Sequence, residues 1–146
     1  MAKKKVTINR FIKENYFLSN FYPCEFEYGG YTYACAEAAF QAQKVARDED
    51  RQQFVGLLGN QAKYLGRSVE LRSDWEEVKL DIMKNVRSAK FTQNEDLKKK
   101  LIDTGNATLI EGNWWGDQYW GVCGDIGENR LGKLLMELRK ELSESV

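Results

Sequence analysis

At 146 residues the chain is long enough to bury a substantial core as one domain, 1–146, without a second globular unit. Its 22 basic and 22 acidic residues cancel, which argues against a dedicated basic nucleic-acid module and leaves room for a local phosphate site. Histidine is absent, so a His-dependent triad, general base or zinc motif is excluded, whereas carboxylate chemistry is not.

Cys24, Cys35 and Cys123 form no paired zinc motif and leave one thiol unmatched by any internal pairing, as in a reduced cytoplasmic protein. No apolar stretch follows the basic Ala2-Lys3-Lys4-Lys5 start, which reads as a solvated end, and no membrane-spanning run occurs elsewhere. In chain order, Val6-Thr7-Ile8 predicts a short strand, and residues 15–23 an ordered loop anchored by Phe17, Leu18, Phe21 and Tyr22. Within it, Ser19 and Asn20 suit either a polar ligand or loop capping. Cys24-Glu25-Phe26-Glu27-Tyr28 alternates as a strand does. Gly29-Gly30 is a hairpin turn, and Tyr31-Thr32-Tyr33 returns.

The segment Glu37-Ala38-Ala39-Phe40-Gln41-Ala42-Gln43-Lys44 is the first concentration of chemistry. At 3.6 residues per turn, Glu37, Gln41 and Lys44 share one helical side, while Phe40 turns inward. A carboxylate, an amide and an ammonium on an alanine-rich helix describe either a rigidly mounted site or a solvated polar face. This helix is expected to reach Val45 or Asp48. A second one is expected over Asp48–Gly59 with Phe54, Leu57 and Leu58 buried, then a short Ala62–Leu65 turn. Gly66-Arg67 offers flexible backbone followed by a cation, suited to phosphate or to an ordinary surface turn.

Ser73-Asp74-Trp75-Glu76 predicts a helix start capped by Ser73 and Glu76, with Trp75, Val78, Ile82 and Val86 as its core stripe to about Lys90. Trp75, near the terminus, is placed to pack most of its ring and expose one edge. A helix from Asn94 to Thr104 buries Leu97 and Leu101 and stops at Gly105. Ala107–Ile110 reads as a strand able to join the hairpin in an antiparallel sheet. Residues 113–121, Asn-Trp-Trp-Gly-Asp-Gln-Tyr-Trp-Gly, are the second concentration. They form either a stacking platform with Asp117 beside a sugar, or an aromatic plug with Asp117 capping a turn. The last helix follows Asn129, with Leu131, Leu134, Leu135 and Leu138 inward and Arg130, Lys133 and Arg139 towards solvent.

Taken in order, Ser19-Asn20-Phe21, the Glu37–Lys44 segment, Ala62-Lys63-Tyr64-Leu65-Gly66-Arg67, Asp74-Trp75, Trp115–Gly121 and Gly127–Met136 resemble the NADAR family, in particular its YbiA-like N-glycosidase members. The resemblance implies a compact α+β fold, mostly helical with a small antiparallel sheet. It also implies hydrolysis of an N-glycosidic bond. The substrates implied are phosphoribosylated aminopyrimidines of riboflavin biosynthesis, giving base and ribose 5-phosphate. ADP-ribosyl-guanine or a related conjugate, modified nucleic acid included, is the alternative substrate class. A non-catalytic nucleotide-binding module is the alternative outside enzymes. By the same resemblance Glu37 matches the family's helix-borne catalytic acid, and Trp75 and Asp117 match its site regions.

The expected catalytic pair is therefore Glu37 and Asp117, with Asn20, Gln41, Lys44, Arg67, Trp75 and Trp120 binding substrate. Lys44 and Arg67 would take phosphate, and Trp75 and Trp120 would flank the base. No metal, cofactor, membrane or obligatory protein partner is expected. Two positions depart from the family pattern: Ala36 stands where Ser is frequent, and Ala38 where His is frequent. Both flank Glu37, and they bear on substrate preference more than on hydrolysis.

Overall fold

The structure, a computed structural model, describes residues 6–145, so the lysine-rich start lies outside the described residues. The fold is α+β. Its chain divides into two compact units, Asn20–Glu95 and the flanking residues up to Ser19 and from Asp96 onward.

The first of these begins with the expected hairpin, β2 (Pro23–Tyr28) and β3 (Tyr31–Cys35), which follows a two-residue β1 (Thr7–Ile8) in the other unit. Gly29 and Gly30 make the turn at φ +60 and +93, left-handed values that match the twist of a tight hairpin and that side chains resist. Phe26, Tyr33 and Cys35 are buried on its inner face. The backbone edge at Glu27 is closed by one side chain. Gln93 donates to the Glu27 carbonyl (2.7 Å) and accepts from its N–H (2.8 Å), satisfying groups that would otherwise invite another strand.

Helix α1 (Ala36–Ala42) is buried along all seven residues, and its alanines let Phe26, Tyr33, Phe54 and Val86 close around its backbone. It stops well short of the expected Val45 or Asp48. The Gln43 and Lys44 N–H groups donate to Phe40 and Gln41 in tightened turns, and the Lys44 carbonyl accepts from the Arg72 N–H at 2.8 Å. Gln43 Nε2 also donates to the Ala39 carbonyl at 3.0 Å, the acceptor that a continuing α-turn would offer the Gln43 N–H. The expected Asp48–Gly59 helix is a 3-10 helix, Asp48–Phe54, closed off by Gly56 at φ +78, and Leu58 is exposed rather than buried.

The residues read as a short turn form a true helix, α2 (Gly59–Gly66), whose start is capped by the Gln61 side chain accepting the Leu58 N–H at 2.9 Å. Gly59 is needed there because the Phe21 ring lies against its Cα. Helix α3 runs Trp75–Thr92, one residue after the expected start and without a side-chain cap. Asp74 is instead drawn into a two-pronged pair with Arg72 (2.6 and 3.0 Å). Its buried face is Trp75, Met83, Val86, Arg87, Lys90 and Phe91, and Val78 and Ile82 are only half-buried.

In the other unit, a 3-10 turn (Lys13–Leu18) buries Phe17 and Leu18, and α4 (Glu95–Asp103) buries Leu97 and Leu101 as expected. Strand β4 (Thr108–Leu109) does not join the hairpin. It pairs in parallel with β1, because the Thr108 and Ile110 N–H groups donate to Val6 and Ile8. Two further short strands, β5 (Gly112–Asn113) and β6 (Val122–Cys123), also pair in parallel. Helix α5 (Arg130–Glu144) starts at Asn129, whose left-handed backbone (φ +51) lets its amide accept from the Glu111 N–H and donate to the Leu109 carbonyl, both at 2.9 Å. Arg139 is buried, not solvated, donating to Thr104 Oγ1 at 3.0 Å. No described helix is long and apolar enough to cross a membrane.

Candidate active site

Glu37 occupies the first turn of α1, at 8% exposure, on a support fixed from all sides. Its N–H would be an orphan at a helix start. It donates to the Asn20 carbonyl at 2.9 Å. One turn on, Phe40 packs its ring against Trp75 at 5.1 Å, tilted by 55°. Lys44 Nζ lies 5.9 Å from the Trp75 ring centre, at the outer reach of a cation–π contact. Trp75 is almost fully buried, so the exposed ring edge expected of it is small.

Lys44 is half-buried, and that burial lowers its pKa from the usual lysine value. Glu37 acts in the opposite direction, while Arg67 and Lys63 add to the lowering. Lys44, just beyond α1, thus feels one carboxylate, Glu37, and two cations, Lys63 on α2 and Arg67 just after it. Lys63 was not singled out in the sequence, although its spacing of four residues from Arg67 puts both on one side of α2. Lys63 is half-buried and Arg67 exposed.

Gln41 stands on the same side of α1 as Glu37 and is 5% exposed. Its Oε1 is buried with no hydrogen-bond partner among the described residues. Any side chain at Gly66 would overlap this amide, so the glycine is what allows α2 to lie against Gln41. A buried amide oxygen left without a donor costs about 1–3 kcal/mol.

Asn20 is buried, and α3 engages both ends of its amide: Arg87 donates to Oδ1 at 2.7 Å, and Nδ2 lies 3.5 Å from Met83 Sδ. Its side chain is therefore occupied within the protein. Arg87 and Lys90 were missed because they fall within an apolar stripe, where helical spacing gives no sign that a cation will be buried. Lys90 is fully enclosed. Burial pushes its pKa well down, Arg87 adds to this, and the Cys24 and Cys35 thiols oppose it.

Asp117 and Trp120 lie in the other unit. There Asp117 Oδ1 accepts the N–H groups of Tyr119 (3.1 Å) and Trp120 (2.9 Å). Asn113 completes the loop, accepting the Asp117 N–H at 3.0 Å and donating to the Asp117 carbonyl at 2.9 Å. The turn-capping role considered for Asp117 is thus present in the structure. Trp120 is half-buried and meets Tyr119 edge-on at 4.7 Å, while Trp114 stands 81% exposed. Of the sequence-derived residues, Asn20, Glu37, Gln41, Lys44, Arg67 and Trp75 belong to the Asn20–Glu95 unit.

The α+β chain thus mounts a buried carboxylate at the start of a fully packed helix, in electrostatic contact with a half-buried lysine. The NADAR domain family matches residues 8–143, and the chain belongs to that family. It is similar to the N-glycosidase YbiA of Escherichia coli, with 39% identity over 129 residues covering 86% of this chain and 80% of that protein. The solution NMR structure of the E. coli protein YbiA matches 99% of this chain and 89% of its own, with a TM-score of 0.87 and 35% identity. A riboflavin biosynthesis protein of Vibrio vulnificus is 38% identical over 138 residues, 88% of this chain and 36% of that longer protein. The chain is accordingly an enzyme of the N-glycosidase class, a hydrolase acting on N-glycosyl compounds.

Proposed function

We propose that the protein hydrolyses the N-glycosidic bond of phosphoribosylated aminopyrimidines, with Glu37 as the catalytic group. The observation that carries this reading is the Glu37 carboxylate, fixed on buried α1 and interacting electrostatically with Lys44, on which Lys63 and Arg67 also act. The name of the Vibrio relative supports a riboflavin-pathway substrate. In the reaction, the bond from the base nitrogen to the anomeric carbon breaks with its electron pair going to nitrogen. Glu37 takes a proton from water as the water oxygen bonds to that carbon, and its charge offsets the positive character developing on the sugar. The proton ends on the departing base, so base and ribose 5-phosphate balance substrate plus water.

Lys44, Lys63 and Arg67 hold the phosphate by charge, and Gln41 packs against Gly66 on the same side of α1 as Glu37. Trp75 lends the side of the base-binding surface that its small exposed edge allows. Asp117 and Trp120 are assigned to the reaction on their sequence pattern, Asp117 through the loop it caps. Three cations also suit a diphosphate, which favours ADP-ribosyl conjugates as the second reading. Mass-resolved turnover separates them. Purified protein incubated with a phosphoribosylated aminopyrimidine is expected to release free base and ribose 5-phosphate with time. Release of ADP-ribose from ADP-ribosyl guanine, with the pyrimidine substrate untouched, would overturn the first reading in favour of the second.

A further inference from the structure

Behind Glu37, the geometry points to Arg87 as a positioning residue that sets the catalytic carboxylate through Asn20. The inference rests on Glu37 being the catalytic group. Arg87 sits on the face of α3 that also carries Met83, Val86 and Phe91, and it is 1% exposed. An apolar side chain would fill such a position without the desolvation that a buried guanidinium suffers. The short bond from Arg87 to Asn20 Oδ1, at 2.7 Å, has the length of a charge-assisted one. Met83, one turn earlier on the same face, meets the other end of that amide.

Asn20 lies between the 3-10 turn ending at Leu18 and the start of β2 at Pro23, outside any regular element. Its side chain is gripped by α3, and its carbonyl takes the Glu37 N–H at 2.9 Å. The chain of contacts runs from guanidinium to amide, from amide to loop backbone, and from loop backbone to the first turn of α1. Arg87 touches Asn20 in this chain, and its effect reaches Glu37 only through the loop. Displacements of about 1 Å at a reacting group are enough to lower rates by about 10²-fold.

The test combines steady-state kinetics on a phosphoribosylated aminopyrimidine with NMR hydrogen exchange at the Glu37 amide. Arg87→Met is expected to lower kcat by about 10–100-fold, leave KM within about threefold, and speed Glu37 amide exchange by at least about tenfold. Arg87→Lys, which still donates a charged bond, is expected to recover about tenfold of kcat. A folded Arg87→Met protein with wild-type kcat, or with Glu37 exchange unchanged, overturns the assignment, as does Arg87→Lys performing no better than Arg87→Met. Should Arg87→Met not fold, Asn20→Ala removes the acceptor and keeps the backbone carbonyl. The same kcat loss and faster Glu37 exchange are then expected, and wild-type values of either overturn the inference. Glu37→Gln run alongside separates the two claims: its full activity would remove the catalytic reading, whereas amide exchange reads the Arg87 linkage whatever the substrate.

Discussion

Helix α1 and the tryptophan loop at 113–121 both present a carboxylate among unusual neighbours, and they are built in opposite ways. Glu37 is carried by its surroundings: seven buried residues, four of them alanine, fix its backbone by tertiary packing, and Asn20 receives its N–H. Asp117 is itself the carrier. Its Oδ1 gathers the N–H groups of Tyr119 and Trp120, and Asn113 ties the loop back on itself, while Trp114 and Trp115 remain exposed. A side chain whose own oxygen organises the backbone has less freedom for chemistry than one mounted on a backbone that others organise.

The contrast can be broken or sharpened by substitution. Gly66→Ala strikes the packing that supports α1, since the new methyl overlaps the Gln41 amide. It is expected to lower stability by about 1–3 kcal/mol, read by urea unfolding, and to raise KM together with it. Asp117→Ala removes the acceptor of two loop N–H groups and is expected to cost about 1 kcal/mol, whereas Asp117→Asn, which keeps an oxygen there, should cost less. If Asp117→Asn instead abolishes turnover in a stable protein, the negative charge itself is needed and the contrast fails. Trp114→Ala, at an 81% exposed position, is expected to change stability by no more than about 0.5 kcal/mol.

The buried support of α3 gives a prediction in pH. The Lys90 pKa lies well below the ordinary 10.5 because burial disfavours its charge. Between the folded value and 10.5 the unfolded chain binds more protons at this site, so the Lys90 contribution to stability rises with pH across that window. Below it, both states are protonated and the penalty of the buried charge is present in full. Unfolding free energies measured from neutral to alkaline pH should therefore climb more in the wild type than in Lys90→Met. A difference between the two proteins that stays flat with pH would contradict the assignment.

The hairpin, the Leu97–Leu101 face and the Glu37 side of α1 were legible because each depends on local spacing or on glycine at a turn. The α+β class and the NADAR motifs were legible too. What was not legible depends on long-range partners. Arg72 takes the carbonyl of Lys44 just beyond α1, the Phe21 ring lies where only glycine fits at Gly59, and β1 captures β4 in parallel. Lys63 had a sequence signal in its spacing from Arg67. Arg87 and Lys90 had none, since a buried cation in an apolar stripe is set by what faces it across the core.

The central claim, that the carboxylate of α1 performs the hydrolysis, is tested most directly by the rate at which Glu37→Gln releases free base from a phosphoribosylated aminopyrimidine beside the wild type. Glutamine preserves the shape of the side chain and removes its capacity to take a proton from water. The account predicts a loss in kcat of about 10²–10⁴-fold with the thermal unfolding midpoint retained. A correctly folded Glu37→Gln protein turning over at the wild-type rate would contradict it.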